Sequence, residues 1–171
     1  MTSKRRLALL NALPKSAATG FTLIELMVVI TITVLLGIIG IASLTGKKSS
    51  NDLSTTVAQA AALIREAENR SMSENQGVSW GVHFANATNT APFYALFSSA
   101  YSATATVGYY RLPPDVAYAT ATIPTGGTVD VIFGQISGLP TAAKTIGFVS
   151  LSQKSLPSST ISVASSGTVT Y

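Results

Sequence analysis

The chain contains 171 residues, of which 47% are hydrophobic and only 11% are charged, and its mean hydropathy is +0.40. This composition is unusual for a fully soluble protein and predicts that one segment lies in lipid. The chain has no cysteine, which excludes disulfides, a thiol nucleophile and thiolate metal sites.

The net charge of +4 is concentrated before residue 21. Four of the eleven basic side chains lie there, at Lys4, Arg5, Arg6 and Lys15. From Phe21 onward the other seven basic side chains balance seven acidic ones, so this part carries no net side-chain charge. The balance removes the compositional argument for nucleic acid as a partner, and we expect none.

An apolar run without a charged side chain extends from Leu26 to Gly46. As a helix it would be about 31 Å long, which matches the core of one bilayer. It is longer than the apolar part of a secretory signal and is closed by Lys47 and Lys48, so we expect it to stay in the membrane. The four cations before it, against these two after it, predict a cytoplasmic leader and an extracytoplasmic C-terminal domain.

Glu25 stands at the edge of this run. A carboxylate at mid-membrane costs about 2.5 to 3.5 kcal/mol on insertion scales, so this side chain needs a partner or access to water. One interpretation is an interfacial acid that reaches the headgroup water.

The segment Gly20-Phe21-Thr22-Leu23-Ile24-Glu25-Leu26 joins four features in order. A basic leader precedes a glycine, an aromatic residue is followed four positions later by glutamate, and about twenty apolar residues come next. This combination resembles the signature of type IV pilins and of the pseudopilins of type II secretion.

The resemblance implies that a membrane-embedded prepilin peptidase cleaves after Gly20 and methylates the new amine of Phe21. Glycine suits the cleavage site because a missing side chain lets a protease approach the backbone closely. The resemblance also implies that Glu25 pairs with the N-terminal amine of a neighbouring subunit, which would neutralise both charges. The implied partners are the peptidase, other pilin or pseudopilin subunits, the inner-membrane assembly platform and the lipid bilayer.

Two features of the apolar run bear on the kind of subunit. Many major pilins carry a proline where this chain has Ala42, which favours a minor subunit. Gly37, Gly40 and Gly46 allow neighbouring helices to approach closely, as a filament core requires, but glycine is also simply tolerated in lipid. Both interpretations of the glycines stay open.

An amphipathic stalk helix is predicted over residues 47–74. Leu53, Val57, Ile64 and Ala67 recur on one face of it, with charged residues mostly off that face. Ser50 or Asn51 is able to cap a separate helix, so a break between residues 46 and 50 is the alternative to one helix of about fifty residues.

The remainder, residues 75–171, has the pattern of a β-rich domain. Apolar residues alternate with polar ones from Val78 to Phe84, which predicts a half-buried strand. Further strands are predicted at Phe93–Ser98, Thr104–Leu112, Val116–Thr120, Thr128–Gln135, Thr145–Ser152 and Ser159–Tyr171, separated by proline and glycine turns. We expect two packed antiparallel sheets or one strongly curved sheet against the stalk helix.

Four segments of this domain occur in an order that resembles the domain of H-type minor pseudopilins. They are Trp80–Phe84, Asp130–Phe133, Ser137–Pro140 and the hairpin from Ile161–Val163 to Gly167–Val169. The stretch 87–107 matches no part of that pattern. The implied fold class is α+β: a long, partly transmembrane N-terminal helix followed by an antiparallel β-rich domain.

Few polar groups of the outer domain are suited to chemistry. His83 is its one imidazole and falls on the polar phase of its strand, so we expect a solvated or locally hydrogen-bonded histidine. Asp115 and Asp130 are too few for a calcium site. We therefore expect no enzyme, cofactor, metal or small-molecule substrate. Three scattered cations, Arg111, Lys144 and Lys154, argue against DNA capture.

Two surface features carry weaker hypotheses. Asn86-Ala87-Thr88 is a lone glycosylation sequon. The tyrosines are expected in the core and on sheet faces rather than in a carbohydrate platform; they are Tyr94, Tyr101, Tyr109, Tyr110 and Tyr118.

The sequence thus predicts a minor pilin or pseudopilin with four parts: a cleaved leader over residues 1–20, a transmembrane and filament-core helix over 21–46, the stalk over 47–74 and the β-rich domain over 75–171. It would begin as a single-pass protein of the cytoplasmic membrane and end in a periplasmic or cell-surface filament. The alternative is a membrane-tethered adhesive or DNA-capturing domain that does not polymerise.

Overall fold

The computed structural model describes residues 20–73, 75–152 and 158–171, without the side chains of residues 39–47 and 75. Of the predicted leader, only Gly20 is described, and Glu74 and Lys154 also lie outside the described residues. By its internal contacts the chain forms two units, divided between Ile41 and Ala42. They are described in turn below.

One helix accounts for most of the N-terminal third of the described residues. Helix α1 runs over Leu23–Met72 and a short 3-10 helix follows at Asn75–Gly77. The alternative of two helices with a break between residues 46 and 50 is therefore not what the backbone adopts. No helix within the described residues combines the length and apolar content of a membrane span.

The first unit exposes its apolar side chains on all sides. From Phe21 to Ile38, the large apolar side chains are 50% to 81% exposed. Thr31 and Thr33 interrupt this surface, but their hydroxyls donate to the carbonyl oxygens of Met27 and Val29 at 2.8 and 2.7 Å. The helix thus satisfies the hydroxyls of these two threonines and, apart from Glu25, leaves an apolar cylinder.

The second unit contains two antiparallel sheets of four strands each, which is the first of the two expected arrangements. The first sheet has the order β3-β2-β1-β5, with β1 Trp80–Ala85, β2 Phe93–Ser98, β3 Thr106–Arg111 and β5 Thr128–Phe133. The second has the order β4-β6-β7-β8, with β4 Val116–Tyr118, β6 Lys144–Ser150, β7 Ser159–Val163 and β8 Val169–Thr170. The chain therefore has the expected α+β architecture, a long N-terminal helix followed by antiparallel sheets.

The core of this unit lies between α1 and the two sheets. The helix contributes Leu53, Val57, Ala60, Ala61, Leu63, Ile64 and Ala67, all at most 6% exposed. The largest sheet side chains packed with them are Trp80, Phe84, Tyr94, Tyr118, Phe133 and Phe148. Small helix residues against large sheet aromatics let the helix lie close to the sheets.

Strand β1 is more deeply buried than the alternation predicted. All six of its residues are buried, including Gly81, His83 and Ala85 on the face away from the core. The segment after β2 covers that second face, since the ring of Tyr101 stacks on His83 with centroids 3.6 Å apart. The prediction of a half-buried strand was wrong because β1 is a central strand and a loop covers its outer face.

A close approach explains Gly81 in the middle of that strand. A Cβ at this position would lie 2.7 Å from the carbonyl oxygen of Val131 and 2.8 Å from the ring of Phe97. No side chain fits in that space without displacing β5 or Phe97.

Candidate functional site at the start of the first helix

Thr22 is the residue at which α1 begins. Its carbonyl oxygen accepts the first helical hydrogen bond, from the N–H of Leu26 at 3.2 Å. Its hydroxyl oxygen accepts a second one, from the N–H of Glu25, also at 3.2 Å. These two bonds are the signature of an N-cap, which satisfies amide groups that the first turn leaves unpaired.

The sequence analysis missed this role of Thr22, although a signal for it was present. Threonine followed three residues later by glutamate, before an apolar run, is the capping-box pattern.

Gly20 and Phe21 precede the cap and are not helical. Both are exposed, Phe21 to 81%. Among the described residues, no atom lies within 4 Å of where a Cβ of Gly20 would be. As far as the described residues show, the peptide bond between Gly20 and Phe21 is exposed to solvent.

Glu25 lies in the first turn of α1, and its side chain is exposed. A carboxylate is favourable there because it interacts with the positive end of the helix dipole. Only the backbone N–H of Glu25 is engaged by Thr22; within the described residues no hydrogen bond or ion pair occupies its carboxylate.

Between Ile24 and Ile32 the surface of α1 has a shallow apolar depression of about 270 Å³. Its lining residues are Ile24, Met27, Val28, Thr31 and Ile32. A depression of this kind accepts the side chains of a second helix in ridges-into-grooves packing.

The other residues considered for chemistry lie in the second unit and serve local structure. Nδ1 of His83 lies 2.5 Å from Oδ1 of Asp130, its register partner on β5. His83 is 7% exposed and is therefore locally bonded rather than solvated. Within the described residues no group of three or more potential metal ligands occurs.

Asp115 lies apart from that pair, among serine side chains. Its carboxylate accepts bonds from the N–H and the hydroxyl of Ser152 at 2.8 and 2.9 Å. Hydrogen bonds from Ser49 and Ser152 hold the pKa of the Asp115 carboxyl below its usual range. The Ser49 hydroxyl, on α1, also contacts that of Ser150 on β6 at 2.6 Å. This cluster joins the helix to the edge of the second sheet.

The sequon is folded into the domain. Asn86 is 8% exposed, and its side-chain amide donates to the carbonyl oxygen of Ile123 at 2.9 Å. A glycan on this nitrogen needs space that the buried side chain does not leave, so the fold argues against use of the sequon.

The tyrosines divide into two groups. Tyr94 and Tyr118 belong to the core, where burial raises the pKa of Tyr94 to about 12 and that of Tyr118 further. Tyr101, Tyr109 and Tyr110 are 37% to 47% exposed on or beside the first sheet. This distribution agrees with the expected core and sheet-face positions.

A comparison with protein families gives one match. The model of the prokaryotic N-terminal methylation motif matches residues 15–42. The matched segment contains Gly20, Phe21, the N-cap Thr22, Glu25 and most of the apolar run. No curated protein and no solved structure matches the chain.

Proposed function

We propose that this chain, which carries the N-terminal methylation motif of type IV pilin-like proteins, is a minor pilin or pseudopilin. It assembles into a type II secretion pseudopilus or a type IV pilus-like filament. The observation that carries the proposal is the family match over residues 15–42, in which Gly20 and Phe21 lie exposed just outside a capped helix.

Processing is the first step of the proposed mechanism. Prepilin peptidase hydrolyses the bond between Gly20 and Phe21, and the released amine of Phe21 is then methylated. The exposure of both residues supports this site, because a protease must bind the backbone on either side of the bond it cleaves.

Assembly is the second step. The new amine of Phe21 is a cation beside the positive end of the α1 dipole, where it is unfavourable unless a carboxylate lies close by. Glu25 supplies that carboxylate to the amine of a neighbouring subunit. Its lack of any other partner among the described residues supports this role.

The apolar cylinder from Phe21 to Ile38 supplies the packing surface for assembly. In the cytoplasmic membrane, the uncharged run from Leu26 to Gly46 is in contact with lipid. In the filament the same side chains pack against equivalent helices delivered by the assembly platform. One surface thus serves both states because lipid and helix side chains are similarly apolar.

The β-rich domain supplies contacts to sister subunits or cargo, and the polar groups considered for chemistry support a structural role. His83 and Asp130 fix the register of two strands, and Asp115 fixes the helix to a sheet. The two four-stranded sheets and the closing hairpin β7–β8 accommodate the order of segments that resembles H-type minor pseudopilins.

Mass spectrometry of the N-terminal peptide tests the proposal in two fractions of the native cell: sheared surface filaments and washed membranes. A peptide that starts at methylated Phe21 is expected in at least one fraction. Its presence in sheared filaments indicates a surface pilus. Its confinement to membranes indicates a short pseudopilus or the tethered domain that does not polymerise. A chain that retains its leader in both fractions contradicts the proposal.

A further inference from the structure

We propose that Thr22 is a positioning residue for leader removal. Its hydroxyl fixes the start of α1 at Leu23. The bond between Gly20 and Phe21 therefore stays outside the helix, where the peptidase can bind it. This inference rests on the proposed function, since it concerns the same cleavage.

The position of the helix end relative to the cleaved bond carries the inference. Helix α1 begins at Leu23, so Thr22 is the one residue between the helix and Phe21. The Thr22 carbonyl accepts from Leu26, whereas its hydroxyl accepts from Glu25, both at 3.2 Å. Thr22 therefore accepts hydrogen bonds from the first turn but is not itself helical, which is the geometry of an N-cap.

Within the described first turn, the Thr22 cap is the one side-chain hydrogen bond to a backbone amide that marks where α1 begins. Adding a residue to an existing helix is favourable or nearly neutral, whereas starting a new one is costly. An uncapped α1 therefore exchanges between different starting residues, including ones before Phe21. In those states the backbone groups of Gly20 and Phe21 enter helical hydrogen bonds and are withheld from the peptidase.

Thr31 and Thr33 show that threonine alone does not produce this effect. Their hydroxyls donate to carbonyl oxygens one turn earlier, at Met27 and Val29, and accept no amide of the helix. Of these three threonines, only Thr22 accepts an amide N–H of the helix with its hydroxyl. Thr31 is thus a matched control: the same residue type, exposed, on the same helix.

The test measures the initial rate of leader removal from the full-length precursor in lipid vesicles containing prepilin peptidase. Thr22→Val keeps the shape of the side chain but removes the acceptor. We expect cleavage to slow about fivefold, the shift that corresponds to losing a typical N-cap. Thr22→Ser restores the acceptor and should be cleaved at close to the wild-type rate. Thr31→Val should be cleaved as fast as the wild type.

A second measurement checks the cap itself. Hydrogen exchange of the Glu25 amide should be faster in Thr22→Val than in the wild type and Thr22→Ser, because that amide has lost its acceptor. If Thr22→Val is cleaved at the wild-type rate, the inference is overturned, whatever the exchange result. Unchanged exchange at Glu25 would also overturn it, because the hydroxyl would then not hold the helix end.

Failure of the proposed function gives a different result. In that case the wild-type precursor is not cleaved between Gly20 and Phe21 at all. Mapping the product's N-terminus in the wild-type reaction therefore separates the two hypotheses before any variant is compared.

Discussion

Helix α1 carries two different surfaces, and the contrast between them indicates how the chain works. From Leu23 to Ile38, every large apolar side chain is exposed, whereas from Leu53 to Ala67 one face of the same helix is fully buried against sheets. Apolar side chains contribute to stability only where they leave water. The second segment therefore stabilises this chain's own domain, whereas the first adds little to it; in the proposed function, the first packs against lipid or other subunits.

Replacing Glu25 with Ala should have the largest effect on the function of the first segment. We expect incorporation into filaments to be abolished, because the amine of the neighbouring subunit would enter an apolar environment unpaired. Membrane insertion should remain, since the change removes a charge from the edge of the apolar run. The measurement is the amount of the chain in sheared filaments and in membranes, by immunoblot.

Glu66→Ala is the matched control for that experiment. It removes an exposed carboxylate from the same helix, where the partner is Arg70 one turn later at 2.5 Å. Such surface pairs contribute only a few tenths of a kcal/mol, so this variant should assemble. Normal assembly of Glu25→Ala would contradict the pairing role.

Replacing one isoleucine on each surface of α1 compares how much the two surfaces contribute to the free energy of unfolding. Ile64 is fully buried, and Ile64→Ala should lower the free energy of unfolding of the β-rich domain by about 2 to 5 kcal/mol. Ile32 is 50% exposed, and Ile32→Ala should leave that free energy unchanged. Urea denaturation in detergent, followed by Trp80 fluorescence, measures both. An equal loss for the two variants would show that the segments do not differ in this way.

The sequence predicted the two surfaces of α1 better than it predicted the outer face of the first sheet. The apolar run and the stalk pattern are local in the chain, so periodicity locates both. The pairing of His83 with Asp130 joins residues 47 positions apart and depends on the β1–β5 register. The cover by Tyr101 depends on the path of a loop in the stretch 87–107, for which no pattern was found. Contacts of this kind follow from tertiary structure rather than from local sequence.

The site itself was only partly predicted for a different reason. Gly20, Phe21 and Glu25 were identified by their order and residue types, and the family match covers all three. The cap at Thr22 was also local and predictable, but it is a backbone role and does not appear in a search for charged or reactive side chains.

The loop that follows β5 offers a smaller test, which concerns the stability of the second unit. Ile136 has φ +67°, a left-handed conformation that disfavours β-branched residues, and its side chain is 68% exposed. Ile136→Asn should raise the free energy of unfolding by about 1 kcal/mol, because asparagine tolerates this conformation and little burial is lost. Leu139→Asn in the same loop should give no gain; an equal gain would show that backbone strain is not the cause.

The smallest expected effect concerns Ser49, the first buried side chain on α1 after the exposed segment within the described residues. Its contact with the Asp115 cluster joins the helix to the second sheet. Because the pKa of Asp115 is lowered in the folded state, its contribution to stability is present above the unfolded pKa. It is lost as the pH falls through the folded pKa.

Asp115→Asn should therefore flatten the acid limb of the stability curve below the usual carboxyl pKa and destabilise the domain modestly near neutral pH. Urea midpoints measured from pH 2 to pH 7 test this expectation. Asp52→Asn, which changes a carboxylate beside the same cluster, should leave the acid limb unchanged. If both variants reduce the loss of stability at low pH equally, that loss is caused by overall charge rather than by the serine hydrogen bonds of Asp115.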